Sequence, residues 1–318
     1  MNDVDVTKAR SLWAEAWRRL RRNRLAMACL SIVSLYLALG VLDFIPVPTG
    51  GGIEEAAAGR RTLIDWAFER AVGRPDRDES FVGPFTGRHL LGTDIHGVDV
   101  LYKTVKGIGT AVIIGGLTAA IYIPLGLLFG LVAGYFGGIV DDAVVYVYST
   151  LACIPGILLL LALMAVMGKG IVQLCIALGV TSWVGLCRLV RGETLKRREA
   201  DYVLAARAVG AGHLRVIVGH IMPNLFHIVI ITFTLGFSRI VLSEAVLSYI
   251  GVGVKPSTIS WGAMISHAKM ELARDPSVWW HLAGAAGALF VLVLAFNILG
   301  DALRDALDPR LRTEGGQA

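Results

Sequence analysis

Charged residues are scarce in this chain: only 17% of its 318 residues are Asp, Glu, Lys or Arg, whereas 55% are hydrophobic. Soluble domains carry roughly 25% charged and roughly 45–50% apolar residues, so this balance fits a lipid bilayer and argues against a soluble fold. The formal charge of +5 comes from basic residues beside apolar runs, not from a separate basic domain. Anchoring at a membrane surface explains it better than nucleic-acid binding does.

Catalytic and nucleotide-binding signatures are also missing. The chain has no Gly-x4-Gly-Lys-Ser/Thr loop to cradle phosphates, no HExxH and no Gly-x-Ser-x-Gly. His220 and His227 lie seven residues apart, but no third ligand accompanies them, which disfavours metal binding. We expect a non-catalytic chain without cofactor or metal.

Only four cysteines are present, and none lies in the long hydrophilic stretch that follows the first apolar run. Disulfides are most useful in extracytoplasmic loops, so we expect free thiols packed within apolar segments. They are Cys29, Cys153, Cys175 and Cys187. The first apolar run ends in Ile-Pro-Val-Pro without an Ala-x-Ala cleavage site, which indicates an uncleaved membrane span and not a signal peptide.

Six apolar runs approach or exceed the roughly 20 residues that cross about 30 Å of hydrocarbon. They predict an all-α polytopic membrane protein of about six transmembrane helices. The runs cover residues 25–45, 108–133, 140–167, 171–190, 225–250 and 282–300.

Two basic clusters orient these spans. Arginines crowd the end of an amphipathic N-terminal segment, and seven basic residues lie in segment 188–215. Basic flanks remain cytoplasmic, so an even number of spans separates the clusters and both termini lie in the cytoplasm. The apolar stripe of the N-terminal segment predicts an interfacial helix, with partner docking as the alternative. Its members are Leu12, Trp13, Ala16, Trp17 and Leu20.

The predicted organisation has five parts. They are a cytoplasmic amphipathic helix over 1–24, a first transmembrane helix over 25–45, an extracytoplasmic lobe over 46–104, a five-helix core over 105–300 and a cytoplasmic tail over 301–318. The core contains a cytoplasmic loop over 191–223. It also contains a segment over 251–281 whose prolines and tryptophans are typical of the outer membrane interface.

Small residues predict one close helix contact. Gly126, Gly130 and Gly134 recur at intervals of four, so they lie on one helix face and permit a neighbouring helix to approach closely. Pro124 precedes them and permits a kink. We interpret these glycines as packing positions.

The longest predicted cytoplasmic loop contains a helix-turn-helix pattern. Tyr202 to Val209 read as a short helix, and Gly210 can end it in the left-handed conformation. A second helix is predicted from about Gly212 to Ile221, ending before Pro223. On the helical pattern alone, an ordinary amphipathic loop helix is the alternative to a docking helix.

This loop resembles the EAA loop of ABC importer permeases, whose pattern is Glu-Ala-Ala-x3-Gly-x9-Ile-x-Leu-Pro. The matching residues are Ala205-Ala206-x3-Gly210 and, at the expected distance, Met222-Pro223. The pattern departs at Leu204, His220 and Met222, where the family has Glu, Ile and Leu. In that family the loop forms the coupling helix that docks in a groove of the ATPase subunit. The resemblance implies that role for Asp201, Tyr202, Ala205, Ala206, Arg207, Gly210 and Pro223.

Further motifs resemble the dipeptide/oligopeptide (OppC/DppC-like) branch, with the type I (MetI-like) permease arrangement. They are His89-Leu-Leu-Gly-Thr-Asp94-x-x-Gly97-x-Asp99, Gly134-Tyr-Phe-Gly-Gly138-x-x-Asp141, Trp261-Gly-Ala-Met and Gly300-Asp-x-Leu-Arg-Asp-x-Leu-Asp308-Pro. The resemblance implies a second permease, one or two ATPase subunits that bind ATP and Mg²⁺, and an extracytoplasmic solute-binding protein. It also implies a bacterial inner-membrane location and a peptide substrate, although relatives carry nickel or glutathione.

Two charges interrupt the fifth apolar run, Arg239 and Glu244. Charges in hydrocarbon are costly and should face protein, water or each other, so both are candidates for the translocation path or gate, with a buried structural or interfacial position as the alternative. A secondary transporter that uses them as an ion-coupled site is the rival function. A membrane scaffold with a docking loop but no solute path is a third.

Overall fold

The computed structural model describes residues 12–47, 61–73, 75–275 and 277–307, with side chains from Trp17 onward. Within these residues the chain is mostly helical, and the only β pairing is three isolated bridges. The helices are α1 (Leu12–Arg22), α2 (Arg24–Leu42), α3 (Leu63–Ala71), α4 (Val100–Phe136), α5 (Gly138–Cys153), α6 (Gly156–Met167), α7 (Ile171–Arg197), α8 (Asp201–Ala208), α9 (His213–Ile250), α10 (Trp261–Leu272) and α11 (Trp280–Leu307).

Five single helices in the described residues, α2, α4, α7, α9 and α11, are long and apolar enough to span a membrane. The remaining apolar run is not the straight helix that its hydropathy predicts, because α5 and α6 meet at an angle of 89°. Ile154 is extended where the chain bends, and Pro155 follows it. Proline disfavours helical backbone in the preceding residue, which explains the break. Counting this bent pair as one span gives six.

The most intimate helix contact joins α4 to α7. A Cβ atom placed on Gly130 would lie 2.7 Å from Val190 Cβ and 2.9 Å from the carbonyl oxygen of Cys187. Gly126 and Gly134 meet α7 equally closely, one turn before and one turn after. The stripe therefore leaves no room for side chains, and α4 continues through Pro124 without ending.

The first and last spans pack together with α9. Phe237 of α9 and Phe296 of α11 stack with ring centroids 4.3 Å apart. The Tyr36 hydroxyl of α2 donates to the carbonyl oxygen of Ala288, 3.1 Å away. Leu20 of α1 is buried in the same cluster, whereas Trp17 is half-exposed. The side chains of the other predicted stripe residues in α1 lie outside the described set.

The predicted lobe ends earlier than its expected boundary at residue 104, because α4 already begins at Val100. At 37 residues, α4 is about 55 Å long. It therefore extends beyond the bilayer and carries its first turns into the lobe. Lys106 lies 2.7 Å from Asp43 and 2.6 Å from Asp65, so α4 ties the end of the first span to α3.

A buried histidine and two carboxylates join the lobe to the start of α4. His89 Nδ1 lies 2.8 Å from Asp99 and its Nε2 lies 3.1 Å from Glu79. Burial lowers the pKa of His89, but these two carboxylates outweigh it and raise the pKa above 6.5. Asp94 is also buried, yet pairing with Lys103 and two backbone N–H bonds hold its pKa below the usual value.

The segment over 251–281 contains a helix that the sequence pattern did not predict, α10. Trp261 at its start is buried and donates from Nε1 to the carbonyl oxygen of Thr104, 2.9 Å away. Ser260 caps α10 by accepting from the Ala263 N–H. This tryptophan therefore joins the segment to α4, and it is not exposed at the surface.

All four thiols are free, as expected, but they are not all packed. Cys29, Cys175 and Cys187 are buried, whereas Cys153 is exposed at the end of α5. Cys153 is the last residue of α5, next to the bend between α5 and α6. The last two residues of the final motif, Asp308 and Pro309, lie outside the described residues.

Candidate coupling surface and translocation cavity

Helix α8 occupies the loop after the fourth apolar run, one residue ahead of its predicted bounds. Gly210 has a φ of +88°, which side-chain-bearing residues rarely adopt. Its N–H donates to Arg207 O over 2.9 Å, and the Ala211 N–H donates to Ala206 O over 3.0 Å. These two bonds form a Schellman motif, so the turn after α8 has one defined geometry.

The prediction that the next helix ends before Pro223 is wrong. Helix α9 runs from His213 to Ile250 without interruption, and five residues, Ile217–Ile221, form a π turn. The Met222 N–H donates to the carbonyl oxygen of Ile217, and Pro223 occupies the first turn of the following α-helical stretch. Proline is tolerated in a first turn because its missing N–H would have no partner there.

Two contacts seat α8 on the ends of the longer helices, and a third joins those helices to each other. Val203 is fully buried in the main apolar cluster. The Arg207 guanidinium lies over the Tyr135 ring, 4.8 Å from its centroid. The Tyr135 hydroxyl lies 2.9 Å from His213 Nδ1 at the start of α9. Helix α8 is therefore held against the bundle end.

An ion pair reinforces the same end of the bundle. The Arg191 guanidinium of α7 contacts both carboxylate oxygens of Asp141 in α5, with Nη2 2.6 Å from Oδ2. No side-chain hydrogen bond caps α5, so the Asp141 carboxylate serves α7 and not the start of its own helix. The two residues are 50 positions apart in the chain, so only the tertiary structure reveals this pairing.

Apolar side chains project from the outer surface of this helix-turn-helix. Val209 is 90% exposed and Leu214 is 79% exposed, and Tyr202 and Leu204 are also exposed. Exposed apolar clusters of this kind mark contact surfaces for other proteins. Of the predicted coupling residues, Asp201, Tyr202, Ala205, Arg207 and Gly210 are exposed here, whereas Ala206 is partly buried against the main apolar cluster. Pro223 does not, because it lies in α9 beyond the π turn.

The two charges of α9 are not a pair in the structure. Glu244 is buried and accepts a 2.7 Å hydrogen bond from Ser248 Oγ. Arg239 is exposed and lines a cavity of about 870 Å³ between α7 and α9. Five helical residues turn through about 140° beyond one full rotation, so the two side chains point to different faces. An ion-coupled site formed by both residues is therefore not assembled in this structure.

Two stripes with a period of four residues line this cavity, and sequence reasoning missed both. On α7 the stripe consists of Thr181, Gly185, Leu189, Glu193 and Arg197. On α9 it consists of His227, Ile231, Leu235, Arg239 and Ser243. Polar residues recurring on one face of a membrane span were the available signal. Among the described residues, no three His, Cys, Asp or Glu side chains are placed to hold a metal ion.

Long apolar helices, a half-open cavity with polar stripes and a rigid exposed helix define an integral-membrane permease. A family model described as the binding-protein-dependent transport system inner membrane component matches residues 126–313. A second, described as the N-terminal TM domain of oligopeptide transport permease C, matches residues 11–50. The chain belongs to this family of ABC importer permeases, in its OppC/DppC/GsiD type.

Similarity extends over nearly the whole length of several relatives. The chain is 33% identical to the oligopeptide transport system permease protein OppC of Bacillus subtilis (strain 168), over 96% of this chain and 92% of the relative. It is 33% identical to the dipeptide transport system permease protein DppC of the same organism, over 98% of this chain and 90% of the relative. It is 31% identical to the glutathione transport system permease protein GsiD of Pectobacterium atrosepticum, over 96% of this chain and 93% of the relative. The family decides against the secondary-transporter and scaffold alternatives.

Proposed function

We propose that this chain is the non-catalytic permease subunit of an ATP-driven importer of di- or oligopeptides. It pairs with a second, homologous permease to enclose the path, and it receives solute from an extracytoplasmic binding protein. One or two partner ATPase subunits bind ATP and Mg²⁺ and dock on the surface formed by Asp201–Gly210. The observation that carries this proposal is the helix-turn-helix around Gly210, whose turn has a defined geometry and which exposes the apolar side chains of Leu204, Val209 and Leu214.

Rigidity matters because the motor and the path lie on different chains. Helix α8 ends in a closed Schellman turn and is held by Val203 and Arg207, so a displacement of α8 reaches α4 and α9 without being lost in a flexible loop. ATP-driven closure of the partner subunits would then shift the spans between outward-open and inward-open states. The outward-open and inward-open states differ in their affinity for the transported solute. ATP binding and hydrolysis on the partner subunits shift the equilibrium between these states.

The orientation follows from the basic helix ends. Arg197 at the end of α7 and Arg304 near the end of α11 line the same cavity, so these two ends lie on one side of the bundle. Helix α8 follows α7 directly, and α1 packs against α11. Basic flanks favour the cytoplasm, which supports our proposal that α8 and both termini lie on the cytoplasmic side of a bacterial inner membrane.

Reconstitution tests the proposal. The chain is co-purified with the permease, ATPase and binding-protein products of its neighbouring genes, and uptake of labelled tri-alanine into vesicles is measured with ATP and with a non-hydrolysable analogue. We expect uptake only with hydrolysable ATP. Uptake that follows an ion gradient without ATP would contradict the proposal, and preference for glutathione over tri-alanine would replace the peptide assignment.

Two proline substitutions test coupling through α8. Gly210→Pro cannot adopt the φ of +88° and removes the N–H that closes the turn, so it should abolish uptake while hydrolysis continues. Gly212→Pro is the matched control, because Gly212 already has a φ of −65°, the value that proline prefers. Full ATP-dependent uptake by Gly210→Pro would remove α8 from the coupling path.

A further inference from the structure

The wall of the cavity between α7 and α9 is rich in positive charge. Three arginines line it, Arg197, Arg239 and Arg304, against one carboxylate, that of Glu193. Glu193 is already engaged by Lys196, whose Nζ lies 2.8 Å from its Oε1. Glu244 does not line the cavity, so it contributes no carboxylate to this wall. The cavity therefore favours anions over cations.

A buried hydroxyl faces the same cavity without a partner. Tyr122 of α4 is 2% exposed and lines the cavity, and its hydroxyl has no hydrogen-bond partner within the described residues. A Cβ placed on Gly236 would lie 3.0 Å from this oxygen, so the hydroxyl packs close to the backbone of α9. Arg239 follows Gly236 by three residues on α9 and lines the same cavity. Buried hydroxyls are rarely left unpaired, so this O–H is a donor that lacks an acceptor among the described residues.

Arg239 lies in the middle of the α-helical stretch Met222–Ile250 and is exposed in the single chain. An arginine at that depth is costly against lipid, so protein or a water-filled path must cover this face. A guanidinium offers two parallel N–H donors that match the two oxygens of a carboxylate. Tyr122 adds a neutral donor in the same cavity.

We propose that Arg239 and Tyr122 form a carboxylate-binding position in the translocation path, which takes the C-terminal carboxylate of the peptide as it passes. This inference rests on the proposed function, because it requires the cavity to be part of the path. It adds a substrate class: solutes with a free carboxylate pass, and the same solutes with that group blocked pass slowly. Arg197 and Arg304 continue the positive wall toward the cytoplasmic end.

The test uses the complete importer in vesicles, with labelled tri-alanine and its C-terminal amide as probes. Arg239→Gln should lower the maximal uptake rate of tri-alanine about tenfold, Arg239→Lys should retain much of it, and Tyr122→Phe should lower it a few-fold. Amide uptake should be the same in wild type and Arg239→Gln. Arg188→Gln is the control, because Arg188 lies over the Tyr148 ring, outside the cavity, and should leave uptake unchanged.

A second measurement does not depend on transport. Tri-alanine at tens of millimolar should raise the unfolding temperature of the purified wild-type and Arg188→Gln complexes, but not that of Arg239→Gln, since ligand binding stabilises the folded state. ATP-dependent uptake of tri-alanine by Arg239→Gln at the wild-type rate overturns the carboxylate position and leaves the proposed function standing. An Arg239-dependent thermal shift without ATP-dependent uptake in wild type overturns the proposed function instead.

Discussion

Adding a single methyl group at Gly130 should loosen the contact between α4 and α7. The new Cβ would lie 2.7 Å from Val190 Cβ and 2.9 Å from the carbonyl oxygen of Cys187. Ordinary carbon contacts need about 3.5–4.0 Å, so this methyl group has no space. The Cys187 oxygen belongs to the backbone of α7 and cannot rotate away, and the two helices must therefore separate.

The magnitude follows from overpacking, which costs about 1–3 kcal/mol in a well-packed interior. Alanine also favours helix over glycine by up to about 1 kcal/mol, and this gain opposes the loss. Gly116→Ala separates the two effects, because Gly116 lies on the same helix and a Cβ there meets nothing within 4 Å. The difference in unfolding free energy between the two variants should equal the packing cost alone.

Thermal unfolding of the detergent-purified protein, followed with a maleimide dye, measures this difference. Cys153 is exposed and reacts at once, whereas Cys187 is buried and reacts only when α4 and α7 separate. We expect a midpoint several degrees lower for Gly130→Ala than for Gly116→Ala. Equal midpoints would refute the argument that this glycine is required by close helix approach.

Two further predictions concern buried ionic groups. The carboxylates near His89 raise its pKa above 6.5, so its stabilisation is complete below that pH and is lost as pH rises through the raised pKa. His89→Gln should therefore cost more thermal stability near about pH 6 than near about pH 9. Asp141→Ala should destabilise the fold by about 1–3 kcal/mol, because Arg191 keeps a partly buried charge without its carboxylate. The double variant Asp141→Ala/Arg191→Ala should cost less than the sum of the single changes.

Both predictions have clear counter-results. If His89→Gln lost equal stability at both pH values, protonation of His89 would not contribute to folding. If the Asp141 and Arg191 changes were additive, the two side chains would not interact in solution. Thermal melts across a pH series and a double-mutant cycle supply these measurements.

Local sequence signals predicted the features that depend on neighbouring residues. The apolar runs identified the spans, since hydrocarbon thickness sets their length. Gly210 identified the turn after α8, because few other residues adopt a positive φ there. The bent α5–α6 pair was missed although Pro155 was visible, since a proline is compatible with either a kinked span or a break. The passage of α9 through Pro223 was missed for the same reason.

The amino-acid sequence by itself determined that this protein is a polytopic helical membrane protein, that it resembles importer permeases, and that a short helix closed by Gly210 lies between two spans. Only the tertiary structure decided that Asp141 pairs with Arg191, that Tyr122 and Arg239 line the same cavity, and that Glu244 is buried away from it. The physical reason is the distance along the chain over which each effect acts. Hydropathy and backbone preference act within a few residues, whereas which helix faces meet depends on how distant spans pack, and single-residue patterns do not encode that.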